Sequence, residues 1–228
     1  MRSMIKFKEG ASIPEIRIER GGNCMKRFFV SVIFGLFFLA LVSPGLAQQQ
    51  TPPQAQPVKQ VAPPILVQNI KENIYQLRGA AAANTGVFIG EKEVVAIDSK
   101  MTEDGAAQMI AEIRKLTPLP IGHILLTHSD DDHVNGLLGF PQGATIVSHE
   151  NARADMVKEK VFQSPRGLAY LPSVTFSDRV TFYLGNGSKS TRVDFLYFGP
   201  GHTDGDAVVY FPDQKVVFMG DLFFNTRD

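Results

Sequence analysis

The run of charged residues at positions 128–133 places the strongest constraint on how this chain can fold. It holds two histidines and three aspartates (His128-Ser129-Asp130-Asp131-Asp132-His133) and almost directly follows the apolar stretch Ile121–Leu126. That stretch predicts a strand buried on both faces. Charged groups beside such a strand are costly unless a cation neutralises them. Because imidazole and carboxylate together suit zinc and related divalent ions, the run indicates a metal site at a strand end. The alternative is an acidic surface turn that binds nothing.

Two later segments carry the same kind of side chain. His202 follows a predicted strand at residues 192–198 and a Gly-Pro-Gly loop, and Asp221 follows a predicted strand at residues 216–219. Three separate strand ends therefore each present side chains that bind divalent metals. This convergence favours a metal site over the surface turn.

Strand and helix patterns alternate across residues 61–228, which predicts an α/β (α+β) domain of sheets covered by helices. Apolar residues recur at helical spacing over residues 102–116, with Thr102 as a candidate cap. A polar helix is predicted at residues 150–160 and a short one near Asn135. Strands are predicted at residues 73–77, 85–89, 94–97, 121–126, 144–148, 173–176, 180–184, 192–198, 207–211 and 216–219.

The order and spacing of the motifs resemble the metallo-β-lactamase superfamily. They are a strand leading into a THxHxDHxxG-like loop (residues 127–136), Gly-His-Thr (residues 201–203), and a strand ending in Gly-Asp (residues 220–221). The resemblance covers residues 61–228 and implies a four-layer αββα sandwich with metals at one edge between its two sheets. It also implies a structural role near the loop for Asp98, which ends an early predicted strand.

Carried over position by position, the resemblance implies two metal ions, with zinc as the expected metal. His128 and His202 would bind the first ion, Asp132 and His133 the second, and Asp221 would bridge the two. A metal-activated hydroxide would be the nucleophile. Asp132 is the candidate catalytic residue, because its carboxylate could also orient that hydroxide or shuttle a proton.

Asp130 departs from the family pattern, which has histidine at this position. A carboxylate still coordinates divalent metals, so Asp130 is expected to be a ligand of the first ion. Two histidines and one carboxylate suit zinc but also iron or manganese. The alternative is a weakened first site, with metal bound at the second site only.

The end of the chain is a second departure. Family members continue past the Gly-Asp strand to a final histidine that completes the second metal site, whereas this sequence ends at Asp228. We therefore expect a sandwich that is incomplete at its C-terminus, in a truncated chain. The two remaining histidines, His123 and His149, are expected to be structural.

The N-terminal third carries export signals. Met25, Lys26 and Arg27 open a segment that continues into a largely apolar run at residues 28–42 and small residues at positions 45 and 47, typical of a signal peptide. The expected organisation is a mis-assigned extension (1–24), a signal peptide (25–47), a Gln/Pro-rich linker (48–60) and the folded domain (61–228). The protein would then be periplasmic or secreted, without stable membrane association after cleavage. The alternative is an uncleaved N-terminal membrane anchor.

These features predict an exported hydrolase that acts on an ester, thioester, lactone or β-lactam bond of a small molecule. One alternative is a non-hydrolytic, iron-type metalloprotein of the same fold, and another is an inactive fragment. Lys and Arg together number 23, as do Asp and Glu, so the zero net charge gives no support for nucleic-acid binding. Arg153, Lys158 and Arg166 are interpreted as a solvated helix face, and the oligomeric state is not predicted.

Overall fold

A computed structural model describes residues 62–185 and 190–223, all within Pro57–Asp228, one of the two units into which the chain divides. The expected extension, signal peptide and linker lie outside the described residues. None of the helices in the described ranges is long and apolar enough to cross a membrane.

The first sheet has seven strands in sequence order. The strands from β1 to β4 pair antiparallel, and those from β4 to β7 pair parallel. Parallel pairing brings the carboxyl ends of β4 and β5 to the same edge of the sheet. The strands are β1 (Leu66–Lys71), β2 (Ile74–Gly79), β3 (Ala82–Ile89), β4 (Val94–Ile97), β5 (Ile121–Leu126), β6 (Thr145–His149) and β7 (Val174–Phe176).

The second sheet has four antiparallel strands in the order β11-β10-β9-β8. Because β10 lies between β9 and β11, these two run in the same direction and end at the same edge. The segments carrying His202 and Asp221 therefore start from one edge of this sheet. The strands are β8 (Arg179–Leu184), β9 (Thr191–Tyr197), β10 (Ala207–Phe211) and β11 (Val216–Phe218).

The helices follow local sequence signals. In α1, the Thr102 side chain accepts a hydrogen bond from Gly105 N, and acidic residues occupy the first turn while basic residues occupy the last. Both features stabilise helix ends. The helices are α1 (Glu103–Leu116), α2 (Asp131–Val134), α3 (Glu150–Met156) and α4 (Pro165–Leu168), with 3₁₀ turns at Asn135–Gly139, Lys160–Gln163 and Gly220–Leu222.

Two apolar clusters hold these layers together. One lies between the first sheet and its helices and includes Val87, Met109 and Leu137, all fully buried. The other lies between the two sheets and joins residues such as Ile97 to Phe195. The predicted mixture of face-to-face sheets and covering helices is confirmed, and three of the four expected layers lie within the described residues.

The sequence did not predict strand β1 or the short helix α4, and one helix was predicted to extend too far. Strand β1 was missed because it is an edge strand with exposed apolar residues (Leu66 is 62% exposed), so its sequence lacks a buried alternation. The helix predicted over residues 150–160 ends at Met156. The chain then turns so that Phe162 reaches the core, where it is fully buried.

Candidate metal centre

Asp98 organises the loop that follows β5. It lies at the shared carboxyl edge of β4 and β5, has a positive φ of 62°, and is 2% exposed. Its carboxylate accepts hydrogen bonds of 2.8 Å from Thr127 N, from Thr127 Oγ1 and from His133 Nδ1. One buried carboxylate thus fixes both ends of the histidine-rich loop, as the resemblance implied for Asp98.

Backbone contacts hold the far end of this loop. Ser99 donates twice to the carbonyl of His133, from N at 2.7 Å and from Oγ at 2.9 Å, and Gly136 N donates to Lys100 O at 2.8 Å. A Cβ on Gly136 would lie 2.0 Å from Ser99 O. Only glycine allows the two segments to approach this closely.

Lys100 is a buried cation that sequence reasoning missed. It is fully buried, and its Nζ donates to three carbonyls of the β2–β3 hairpin, those of Leu77, Gly79 and Ala83, at 3.0, 3.3 and 2.8 Å. Burial lowers the pKa of Lys100 to about 8, and the nearby Asp98 opposes that shift. Lysine is rarely fully buried, so only its place directly after the Asp98-Ser99 strand end hints at this role.

The hydrogen bonds around His128 and His133 fix which ring nitrogen carries the proton. Thr127 Oγ1 donates its one hydrogen to Asp98, so it accepts from His128 Nδ1, 3.0 Å away. His133 Nδ1 faces the Asp98 carboxylate, which can only accept. In the neutral form of each ring, the lone pair is therefore on Nε2.

These two Nε2 atoms are buried and have no hydrogen-bond partner among the described residues. The side chains of His128 and His133 are 0% and 2% exposed. Buried polar atoms are normally hydrogen-bonded, and neutral imidazole nitrogens with a fixed second nitrogen are typical metal ligands. The donor set thus fits a divalent metal.

The other four predicted ligands surround these nitrogens. Asp130 Oδ2 lies 2.9 Å from His202 Nε2 and 3.7 Å from His128 Nε2. Asp221 lies 3.2 Å from His133 Nε2 through Oδ1 and 3.9 Å from His202 Nε2 through Oδ2, so it faces both sides of the cluster. Asp132 is at its edge, 3.8 Å from His133 Nε2.

Two groups within the cluster have ligand atoms that all lie within 4.8 Å of one another. They are His128 with Asp130 and His202, and His128 with His133 and Asp221. His128 belongs to both, so five of the six predicted ligands form one continuous site. Asp132 belongs to neither group and lies at the edge of the site, 3.8 Å from His133 Nε2. The role of all six as ligands stays a prediction.

The three histidines of the cluster differ in the direction in which their surroundings shift the pKa. Burial lowers the pKa of His128, and the nearby His133 lowers it further. Burial also acts to lower the pKa of His133, but the charge and hydrogen bond of Asp98 outweigh it and raise that pKa to about 9. The hydrogen bond to Asp130 raises the pKa of His202.

The loop that carries His202 is shaped by Asp206, which is 2% exposed. Its carboxylate accepts from Thr203 N at 2.7 Å and from Thr203 Oγ1 at 3.0 Å. Asn151 Nδ2 and Tyr197 OH both donate to Asp204 O, at 2.8 and 3.0 Å. Helix α3 and strand β9 therefore hold this loop from either side.

Asp206→Ala should disturb this loop and weaken metal binding through His202. We expect roughly tenfold weaker binding of one ion and a loss of about 2 kcal/mol in the free energy of unfolding, because the half-buried Thr203 loses the charged acceptor of its two hydrogen bonds. Zinc titration and denaturant unfolding measure the two effects. Asp213→Ala, in an exposed turn, is the control; equal zinc affinity in both variants would contradict the role of Asp206.

Gly220 lets the segment with Asp221 approach the histidine loop. It has a positive φ of 52°, and a Cβ on it would lie 2.5 Å from Thr127 Oγ1 and 3.2 Å from His128 Nδ1. The glycine before Asp221 therefore allows the segment that follows β11 to lie against the segment that follows β5.

His123 and His149 lie outside the cluster. His123 Nδ1 pairs with Glu93 at 3.1 Å. His149 is 2% exposed, stacks on Tyr197, donates from Nε2 to Ser177 O and accepts from Asn151 N at Nδ1. Both imidazoles have partners that account for them, in line with the expected structural role.

The family model described as the metallo-beta-lactamase superfamily matches residues 78–228. The chain belongs to the metallo-beta-lactamase superfamily. This membership confirms the resemblance and supports the prediction of a metal-dependent hydrolase.

Curated members of the superfamily show moderate identity to the chain. It is 29% identical over 169 residues to "Metallo-beta-lactamase type 2" of Elizabethkingia meningoseptica, covering 71% of this chain and 63% of that protein. It is 25% identical over 146 residues to the Bacillus cereus protein of the same name, covering 63% of this chain and 52% of that protein. The chain thus spans about half to two thirds of the length of these two relatives.

Solved structures of the superfamily share the fold. A metallo-beta-lactamase from Pontibacter korlensis matches with a TM-score of 0.55 at 20% identity, covering 68% of this chain and 70% of that one. A double mutant of the sec-alkyl sulfatase PisA1 matches with a TM-score of 0.54 at 16% identity, covering 68% of this chain and 30% of that one. Proteins whose names denote different activities thus share this fold.

Proposed function

We propose that this superfamily member is a metal-dependent hydrolase of a small-molecule acyl bond. The observation that carries the proposal is the pair of buried Nε2 atoms of His128 and His133, which make no hydrogen bond among the described residues and have three carboxylates within 4 Å. Neutral imidazole nitrogens and carboxylates together are the donors that zinc takes in hydrolases.

His128, Asp130 and His202 would hold one ion, and Asp132 and His133 a second. Asp221 faces both groups through its two oxygens and would contact both ions. When bound, such ions lower the pKa of a water molecule toward neutrality and polarise the carbonyl under attack.

The chain's own contribution to the reaction centres on Asp132. Its carboxylate is 37% exposed, at the edge of the cluster, whereas the other residue of its pair, His133, is buried. Asp132 is therefore placed to orient the attacking water, to accept its proton and to pass that proton to the leaving group.

We infer the class of bond from the relatives' names and the sequence motifs together. The two relatives above are named metallo-beta-lactamases, which supports a β-lactam bond. Lactone, ester and thioester bonds are the further candidates that the sequence motifs suggest. A shared fold does not fix the substrate. We also propose that the protein is exported, because residues 25–47 have the composition of a signal peptide.

A hydrolysis screen of the full chain tests the proposal. The zinc-loaded protein should hydrolyse at least one of nitrocefin, an acyl-lactone or an acyl-thioester; a chelator should abolish the activity and added zinc should restore it. Hydrolysis that persists after complete metal removal, or no hydrolysis of any of the three, would reject it.

An iron-type metalloprotein is a second candidate, favoured by the group of His128, Asp130 and His202. Two histidines and one carboxylate are the ligand set of many non-haem Fe(II) enzymes. Metal content after purification from cells grown with both metals distinguishes the candidates, because the iron-type protein would contain iron in preference to zinc.

Asp130→His should convert the first site to three histidines. We expect roughly tenfold tighter zinc binding at that site and a weaker preference for manganese, since imidazole suits zinc better than carboxylate does. Competition titrations with zinc and manganese measure the change. Asp131→His is the matched control one position along the chain.

The same titration tests whether the wild-type first site is weak. One tight zinc equivalent in the wild type and two in Asp130→His would show a weakened first site. Two tight equivalents in the wild type would reject that idea.

A further inference from the structure

A cleft opens beside the metal cluster, and carboxylates outnumber cations among its lining residues. Its volume is about 520 Å³, and Asp130 and Asp132 form the wall that it shares with the cluster. Asp130 Oδ2 lies 3.7 Å from the buried His128 Nε2. The cleft therefore adjoins, along Asp130 and Asp132, the site at which the proposed hydrolysis would occur.

Three carboxylates that are not predicted metal ligands also line this cleft. They are Asp131, Asp155 and Glu159. Lys158 is the only cation among the described lining residues, and its Nζ already lies 2.7 Å from Asp155 Oδ1. Asp131 and Glu159 are exposed and their carboxylates have no partner in the described part of the chain.

The charge of this cleft is negative even with metal bound. Two divalent ions would carry four positive charges against the three ligand carboxylates of Asp130, Asp132 and Asp221, which leaves one positive charge. Three further carboxylates against one ammonium add two negative charges, so the cleft and the cluster together keep one net negative charge. A cleft lined by one sign of charge raises the local concentration of ligands of the opposite sign.

We propose that this cleft selects substrates that carry a positive charge close to the scissile acyl bond and disfavours anionic ones. This inference rests on the proposed hydrolase function and names its substrate class: acyl compounds bearing an ammonium group. An anionic substrate would have to approach Glu159 and Asp131 with only Lys158 in opposition. Lys158, interpreted from sequence as part of a solvated helix face, is exposed just after α3 and also lines this cleft.

Three matched substrates test the proposal. They are the p-nitrophenyl esters of 4-(trimethylammonio)butyrate, of its uncharged tert-butyl isostere, and of glutarate, assayed with the zinc-loaded full chain. We expect kcat/KM to fall from the cationic to the neutral to the anionic ester. The spread should be roughly tenfold at low salt and should shrink in 0.5 M salt, because salt screens exposed charges.

Two variants that change the charge of the cleft in opposite directions provide a second test. Glu159→Gln should lower the cationic-to-anionic ratio of kcat/KM about threefold, and Lys158→Gln should raise it by a similar factor. Glu91→Gln, in the turn at the opposite end of the first sheet, is the matched control and should leave the ratio unchanged. A ratio near one, an anionic preference, or an equal response in all three variants would overturn the proposal.

Binding separates this proposal from the hydrolase proposal. Binding of the p-nitroanilides of the same three acids can be measured without hydrolysis, and calorimetry ranks their affinities. If no ester is hydrolysed, the hydrolase proposal fails while the binding order still decides the charge selectivity. If the esters are hydrolysed without charge preference, only the inference about the cleft fails.

Discussion

Asp98→Ala is expected to lower the free energy of unfolding by about 3–5 kcal/mol and to abolish tight metal binding, because it removes one partner of a buried charged pair. The carboxylate of Asp98 is the common acceptor for Thr127 N, Thr127 Oγ1 and His133 Nδ1. Without it, the buried N–H of Thr127 has no acceptor and His133 loses the bond that fixes its ring. The loop between these two residues carries four of the six predicted ligands, so both stability and binding depend on one side chain.

Asp194→Ala is the matched control for this prediction. Asp194 is also buried, at 4% exposed, and also accepts side-chain hydrogen bonds, from Thr181 Oγ1 at 2.8 Å and Arg192 Nε at 3.0 Å. It lies on the second sheet and contacts no member of the metal cluster among the described residues. Denaturant unfolding and zinc titration of both variants separate a general loss of stability from a loss of the site. Wild-type zinc affinity in Asp98→Ala would contradict the organising role of Asp98.

The position of the candidate metal centre was largely predictable because its predicted ligands lie close to strand ends. His128 and His133 follow β5 within a few residues, and His202 and Asp221 each follow a strand whose apolar pattern is plain. Parallel pairing of β4 with β5, and the placement of β9 and β11 on either side of β10, then bring these ends together. The sheet fixes the position of residues that lie close to a strand end, so a sequence pattern is enough to find them.

What the sequence did not reveal depends on contacts between distant segments. The role of Lys100 requires three carbonyls from a hairpin about 20 residues earlier, and no local pattern records that approach. The turn that ends α3 at Met156 exists because Phe162 packs into the core, and the intervening residues carry no glycine or proline. Tertiary packing overrides local propensity in both cases.

Metal binding by the metal-free protein is expected to release a proton from His133 and to strengthen about tenfold for each pH unit from about 6.5 to 9, since ligand imidazoles must be neutral. Burial alone would lower the pKa of His133, but the charge and hydrogen bond of Asp98 raise it to about 9. At neutral pH the imidazole is therefore protonated before metal arrives. Calorimetry in buffers of different ionisation enthalpy measures the protons released, and His202, whose pKa is also raised, adds to them.

The same raised pKa sets the pH dependence of stability without metal. The folded state binds a proton at His133 up to about pH 9, whereas the unfolded chain releases it near the ordinary value of 6.5. The contribution of His133 to stability is therefore complete below pH 6.5 and is lost as pH rises toward 9. Bound metal should remove this dependence, because the ligand imidazole then stays neutral.

Asp98→Asn isolates this effect from His202. The amide keeps the shape of the carboxylate but not its charge, so the pKa of His133 should fall and the pH dependence of both stability and zinc affinity should flatten. The amide can also donate to His133 Nδ1, which would move the ring proton to Nε2, the atom that faces the cluster. We therefore expect Asp98→Asn to bind zinc weakly across the whole pH range while remaining folded, and Asp194→Asn to keep the wild-type pH profile. A zinc affinity in Asp98→Asn that rises with pH as steeply as in the wild type would show that His133 does not release a proton.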